Sequence, residues 1–386
     1  MISKTSCPGT GRRLYFGLCI LTTLLSLAAM PAYGQHVHQL SYNGSTWEDQ
    51  SLNGAQTYVF SQIAAILTTP NNQQHVYYFG GSPYHVHQLF YNGANWSDED
   101  LTAETGAPQP NEYAVSAFSV GNYQYVYYID LNYDLHQLLY NNSNWVDTDL
   151  TKIVGGPQAF GQLVAFTTSP AVHVFYKDVN TGHVHQIFNT NGTNWQDQDL
   201  TVITGGASAD GNEMSGFHIA NYQYIYFFDV SGHIHQYLYN NLNWSDEDLT
   251  ALTHSLPSVD GNNVAAFVLP GTKKLRVYVQ AENDHILQLA STNNVKWSSS
   301  DLTKGTKTPP AYPGTSIAGL STANNQLQVY YTSSQSHIDQ FLLSSPATAW
   351  QNIDLTAESG GGSVTPQGGI AVLSLQNLPS VYYLGD

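Results

Sequence analysis

Four residue types recur in this chain at fixed spacing, and each could do chemistry. Histidines come in pairs two apart: His36 and His38, His85 and His87, His183 and His185, His233 and His235. On a strand, residues two apart share a face, so the imidazoles of one pair could chelate a metal. Zinc takes a third ligand and usually a fourth. No further ligand recurs at fixed spacing, and the other copies keep single histidines, His136, His285 and His337. The pattern predicts packed or half-exposed histidines and no metal. Aspartates also pair two apart, at Asp98 and Asp100, Asp147 and Asp149, Asp197 and Asp199, Asp246 and Asp248. Calcium loops need several oxygens in a short Gly-bearing turn, and no DxDxDG run exists here. Aspartates that cap turns and solvate the rim are expected instead, with no cofactor.

Glutamine and tryptophan recur without exception. The glutamines are Gln39, Gln88, Gln137, Gln186, Gln236, Gln288 and Gln340. The tryptophans, all seven of the protein, are Trp47, Trp96, Trp145, Trp195, Trp244, Trp297 and Trp350. Each glutamine alternates with apolar neighbours, which places it inside the fold, and a buried amide must be hydrogen-bonded. Two readings stand: a repeated bond to a neighbouring backbone, or a pocket amide holding a sugar hydroxyl. Each tryptophan is either a packing wedge or a platform for the apolar face of a sugar.

These residues belong to one repeated sentence, HVHQLFYNGANWSDEDLT in its copy from His85. Successive tryptophans stand 49, 49, 50, 49, 53 and 53 residues apart. A period near 50 built of short strands means a propeller or a similar array. Each unit reads as four strands: an apolar run, a Tyr-rich run such as HVYYF from His75, the HxHQLxY run, and one from Trp to Asp-Leu-Thr. Tyr, Val, Ile, Phe and Trp favour strands. Asn-Gly at 43–44, 92–93 and 191–192 marks tight hairpins between the third and fourth. Gly/Pro-rich crossings follow Asp-Leu-Thr. The second strand is apolar on both faces, as blades packed face to face require. The chain past residue 34 opens on a third and a fourth strand and finishes on a first and a second. Together they make one blade, so the fold expected is all-β: a seven-bladed β-propeller of four-stranded blades, closed by N- and C-terminal strands sharing one blade.

Composition sets outer limits. Residues 1–34 read as an export signal, with Lys4, Arg12 and Arg13 before an apolar run and Ala32-Tyr33-Gly34 before a cut at Gln35. A single propeller domain over 35–386 follows, in a secreted or periplasmic protein. Both cysteines, Cys7 and Cys19, lie in the signal, so the remainder is exported without disulfides. Beyond residue 34, eight basic residues face 28 acidic ones, a formal balance of −20. Nucleic acid is a poor partner for such a surface, and no later segment is apolar enough to insert into a membrane. One arginine remains, Arg276.

The run Arg276-Val277-Tyr278, then His285-Ile286-Leu287-Gln288, then Trp297, resembles the repeats of fungal fucose-specific lectins and their bacterial relatives. The other copies share the VYY, the IHxL and the Trp. In that family, which has six blades, a second-strand arginine and a third-strand glutamate bind fucose hydroxyls over aromatic residues. At the arginine position this chain has His75, Tyr125, His173, Tyr224, Arg276, Gln328 and Ser380; at the glutamate position it has Gln in every copy. The resemblance thus implies the fold, and implies neutral-sugar sites in place of charged ones. The candidate sites are Arg276, Gln288 and Trp297 first, then His75, Gln88 and Trp96; Tyr125, Gln137 and Trp145; His173, Gln186 and Trp195; and Tyr224, Gln236 and Trp244. The expected function is a secreted, multivalent, lectin-like propeller whose partners are glycans or a glycosylated surface. The other reading is a protein-interaction or structural envelope propeller without sugar binding. Catalysis is not expected. YNGSTW resembles the Asp-box of sialidases, but Asn replaces its Asp, one arginine cannot supply a sialidase's three, and no unique acid/base group interrupts the repeat.

Overall fold

The computed structural model describes residues 35–386, apart from 58–60, 191–193, 259–262, 323–325, 345–346 and 348. The expected export signal and the Asn-Gly turn at 191–192 lie outside the described residues. Among the described residues, twenty-eight strands form seven antiparallel sheets of four. One blade shows the plan: Ala64–Thr68 innermost, then Gln73–Gly80, His85–Tyr91 and Trp96–Asp100 outermost. The first strands of successive blades are neighbours around the axis, and the ring shuts where Ile370–Leu375 meets Ala64–Thr68.

The closing blade is assembled from both ends of the chain. Its strand order runs Trp47–Ser51, His36–Tyr42, Leu378–Gly385, Ile370–Leu375. Val37 lies opposite Leu384 and Gln39 opposite Tyr382. Past the ladder, the Gln35 side-chain amide donates to the Asp386 carboxylate at 2.8 Å. The seven-bladed ring closed by shared strands, read from the two incomplete units, is the observed architecture.

Alternation of side chains across each strand sends one set toward the following blade and the other toward the preceding one. The apolar members meet in seven clusters, one between each pair of adjacent blades. This is why the second strands are apolar on both faces. Tyr77 and Tyr78, neighbours in sequence, are both fully buried, in two different clusters.

The third and fourth strands are joined by the tight hairpins expected at Asn-Gly. In the first copy the turn spans Asn43 to Thr46, with Tyr42 opposite Trp47 and the Asn43 amide donating to the Thr46 carbonyl at 3.2 Å. The Asn43 carboxamide oxygen accepts from the amides of Ser45 and Thr46, each at 3.0 Å. Asn side chains organise such turns by taking over backbone donors, so Asn persists even where Gly does not. One local expectation is corrected, at Asp-Leu-Thr. It opens a one-turn helix rather than a loop, in six copies, the first being Leu101–Thr105. Asp100 caps that helix, its Oδ1 accepting from the Ala103 amide at 2.8 Å. Thr102 accepts from the Val86 amide at 2.9 Å, which ties the helix to the third strand. The first copy ends Asp-Gln-Ser-Leu; without the capping aspartate, Leu52 donates directly to the Val37 carbonyl at 2.9 Å.

Candidate functional site

The histidines and aspartates of the repeat turn out to be partners of each other. Hairpin register sets the third-strand His87 opposite the fourth-strand Asp100. His85 Nδ1 meets Asp100 Oδ2 at 2.7 Å, and His87 Nδ1 meets Asp98 Oδ2 at 3.1 Å. The same pairing holds His183 to Asp199 at 2.7 Å, His233 to Asp248 at 2.8 Å, His285 to Asp301 at 2.7 Å and His337 to Asp354 at 2.7 Å. A single carboxylate therefore caps a helix with one oxygen and orients an imidazole with the other. His183, His185 and Asp199 bring three metal-ligating atoms within 4.8 Å of one another. Asp199 is already committed to His183 and to the Val202 amide, and zinc would need a further ligand.

Burial and charge move these histidines in opposite directions. Burial holds down His136, His185 and His235, but the aspartate bonded to each and two further aspartates nearby together outweigh it and raise their pKa values. His75 and His173 have no carboxylate partner, and burial pushes both down to about 4. The consequences for stability follow from which state binds more protons. His75 and His173 stabilise the neutral folded form above 6.5, and that contribution drains away as pH falls from 6.5 to about 4. The raised histidines add stability that is full below 6.5 and is lost as pH climbs through their folded values. Asp100, Asp199 and Asp248 are lowered, although burial opposes it, by helix-cap and histidine hydrogen bonds. Their contribution is lost only below 3.8. Melting temperature is expected to peak near pH 6.5 and fall toward pH 4. The double variant His75→Gln, His173→Gln should flatten the acid limb, since Gln328 fills that position in another blade. An acid limb unchanged in the double variant would contradict the assignment.

The clefts lie at the other end of the blades, beside the hairpin loops. Four are built alike. One, of 580 Å³ between the closing blade and the next, is lined by Ser380, Gln39, Gln50, Gln74, Tyr91 and Trp96. A second, of 330 Å³, has His75, Gln88, Glu99, Gln124, Tyr140 and Trp145. A third, of 530 Å³, has His173, Gln186, Gln198, Gln223, Tyr239 and Trp244. The fourth, of 510 Å³, has Gln328, Gln340, Tyr42 and Trp47. Each thus combines a second-strand variable residue and a third-strand glutamine of one blade with the Tyr and Trp of the next.

This corrects every candidate triad read from the sequence. The hairpin pairs Gln88 with Glu99 and Tyr91 with Trp96. Gln88 and Tyr91 are three apart, so they face opposite ways, and the tryptophan of a blade points away from that blade's own glutamine. His75 and Gln88 accordingly meet Trp145, while Trp96 stands with Ser380 and Gln39. His173 and Gln186 meet Trp244 rather than Trp195. The group expected around Arg276, Gln288 and Trp297 is likewise split. Arg276 and Gln288 share a face with Tyr278, whose ring meets the edge of Trp350. Trp297 packs on the opposite side, against the cluster that holds Tyr224 and Tyr226. The Arg276 guanidinium donates to the carbonyls of Leu275 at 2.8 Å and Ser291 at 3.4 Å. Tyr125 and Tyr224 fill their positions by stacking on Phe118 at 4.7 Å and on Phe217 at 5.0 Å.

Two of the seven glutamines, Gln39 and Gln186, bond to side chains of the next blade, and the other five bond within their own blade. Gln39 Nε2 donates to Gln74 Oε1 of the next blade at 3.1 Å. Gln186 donates to His173 Nδ1 at 2.6 Å and to Gln223 of the next blade at 2.9 Å, and accepts from Gln198. Tyr77 donates across its interface to Gln124. Gln74, Gln124 and Gln223, buried on the second strands, were not singled out by the sequence reading. Their signal is the Gln that precedes the variable position in three copies. Within its own blade, Gln137 accepts from Tyr127 and Gln236 from Tyr226, each at 3.0 Å.

The tryptophans are wedges by placement. Each joins the cluster facing the preceding blade. Trp145 lies edge-on to Tyr77 at 6.3 Å, Trp96 to Tyr382 at 6.1 Å and Trp244 to Phe175 at 6.0 Å.

Residues 217–382 match the fungal fucose-specific lectin family. The resemblance read from the repeats is borne out over that stretch. Among solved structures, the propeller is similar to a lectin from Burkholderia pseudomallei, BP39L, at TM-score 0.64 and 14% identity, covering 85% of this chain and 94% of that one. It is similar to a variant of Aleuria aurantia lectin in complex with alpha-methyl-L-fucoside, at TM-score 0.55 and 18% identity, covering 78% and 96%. AofleA from Arthrobotrys oligospora gives TM-score 0.52 and 12% identity, covering 83% and 90%. No curated protein sequence matches the chain. Aleuria aurantia lectin is described as six-bladed; the present ring has one blade more.

Proposed function

We propose that the protein is a secreted, multivalent lectin that binds neutral sugars in the clefts between blades and catalyses no reaction. The observation that carries this reading is the repetition of one cleft design at four blade interfaces: a variable polar residue, a glutamine, and a Tyr–Trp pair from the following blade. Amides and hydroxyls suit sugar hydroxyls, and the aromatic pair suits the apolar face of a pyranose. The family match and the sugar-bound relative support the same reading.

The chemistry favours weak sites. The arginine and glutamate implied by the resemblance are replaced by neutral groups, whose hydrogen bonds contribute about 0.5–1.5 kcal/mol each rather than the about 1.5–3 kcal/mol of charged ones. In the cleft around Gln186 both amide hydrogens are already used inside the protein, so a sugar there must share or displace them. Useful affinity then comes from engaging several clefts at once, through avidity. Export of the chain after removal of residues 1–34 would place these clefts where glycosylated surfaces are met. Among the described residues, no helix is long and apolar enough to cross a membrane.

Glycan-array binding of the labelled protein, followed by titration with the best monosaccharide and with a multivalent conjugate of it, tests the proposal. Binding to uncharged glycans is expected. The conjugate should bind at least about a hundredfold more tightly than the monosaccharide. Silence across the array would instead favour the protein-interaction or structural propeller.

A further inference from the structure

Besides the variable second-strand residue, the clefts differ in the fourth-strand residue opposite the glutamine, and that difference has chemical content. The fourth-strand residue opposite the glutamine is Gln50 in one cleft and Gln198 in another, but Glu99 in the cleft between the blades that carry Gln88 and Trp145. Glu104 lines the same cleft, and no lysine or arginine does. Burial raises the pKa of Glu99, and repulsion from Glu104 and Asp98 adds to it. Gln88 Nε2 reaches Glu99 Oε2 at 3.3 Å. Beneath the carboxylates lie His75, 4% exposed, and Gln88, 3% exposed. His75 Nδ1 and Gln88 Oε1 are both buried without a hydrogen-bond partner; burial keeps the imidazole neutral, and the Gln88 carboxamide only partly offsets it. His75 is held from its other side by Thr68 at 3.3 Å. The cleft therefore carries two carboxylates and no cationic side chain, with Phe90, Tyr140 and Trp145 as aromatic walls.

We propose that this cleft takes a protonated amino sugar, a 2-amino-2-deoxyhexose with a free ammonium group, with Glu99 and Glu104 receiving the ammonium. The inference rests on the lectin reading and adds a ligand class to one of its sites. An ammonium offers three donors to a cleft that offers acceptors, and a carboxylate partner roughly doubles the strength of such bonds. The aromatic walls select a sugar over a bare cation, since calcium asks for six to eight oxygens. The clefts with Gln50 and Gln198 carry no such charge and serve as an internal contrast.

The test uses the whole protein, freed of metal with chelator. It is titrated with glucosamine at a pH where its amine is protonated, and with N-acetylglucosamine as the neutral reference. Wild type should bind glucosamine at least about tenfold more tightly than N-acetylglucosamine, and added salt should weaken only the former. Glu99→Gln, which copies the residue of two other blades, should lose that preference with its melting temperature unchanged. Gln198→Glu should install a second glucosamine site. Equal affinity for the two sugars in wild type, or a preference that survives Glu99→Gln, overturns the proposal while leaving neutral-sugar binding intact. Failure of every sugar to bind overturns this inference and the lectin reading together.

Discussion

Deleting Tyr382 to Asp386 is expected to collapse the whole ring rather than fray one end. Those residues belong to the strand Leu378–Gly385, which pairs on one side with Ile370–Leu375 and on the other with His36–Tyr42. Tyr382, Tyr383 and Leu384 are at most 1% exposed and belong to two different interface clusters. Burying such a side chain is worth about 1.5–3 kcal/mol. Three of them approach the whole about 5–15 kcal/mol by which a domain is stable. The deletion also removes the ladder partners of Val37 and Gln39 and exposes two strand edges. Calorimetry should show a melting temperature lowered by more than about 10 °C, or no cooperative transition. A circular permutant separates closure from chain length. Joining Asp386 to Gln35 and opening the loop after Thr253 should restore a cooperative melt. A truncated protein that melts like the full chain would refute closure by shared strands.

Trp145→Ala should carry the largest effect of any single substitution considered. Trp145 is 7% exposed and lies between two blades, edge-on to Tyr77 at 6.3 Å and against Tyr140 at 5.4 Å. Removing a buried aromatic leaves a cavity and costs about 3–5 kcal/mol. Urea unfolding should show that loss as a lower midpoint with an unchanged slope. Trp145→Phe should recover part of it. Trp145 also lines the cleft with His75 and Gln88, so the same variant reports on the platform reading. A stability loss below about 1 kcal/mol with sugar binding abolished would make it a platform and not a wedge. The large loss expected identifies the wedge as its main role.

The sequence by itself determined the repeat, the blade count and the joining of the termini. Those follow from local facts: one Trp per unit, the strand propensity of VYY runs, and incomplete units at both ends. Propellers make these facts legible because each blade repeats the same short-range pairing. The capping aspartates were also legible, as turn-formers; the helical turn they start was not, because five residues give too little periodicity to read.

Which residues meet across a blade interface was decided by the tertiary structure. Gln88 and Trp96 sit in one repeat, yet hairpin register turns them to opposite faces. The partner of Gln88 is Trp145 of the next repeat, brought there only by packing of the blades. Parity along the hairpin, with its register set by a turn that Asn92 organises locally, separates Gln88 from Trp96; which blade supplies the tryptophan instead is not contained in the hairpin. The His-x-His and Asp-x-Asp motifs show the same limit. As separate patterns they read as packed or half-exposed histidines and turn-capping rim aspartates; cross-strand pairing makes them each other's partners. A sequence repeat specifies what every blade contains, whereas a site shared between blades depends on which face each residue presents to its neighbour.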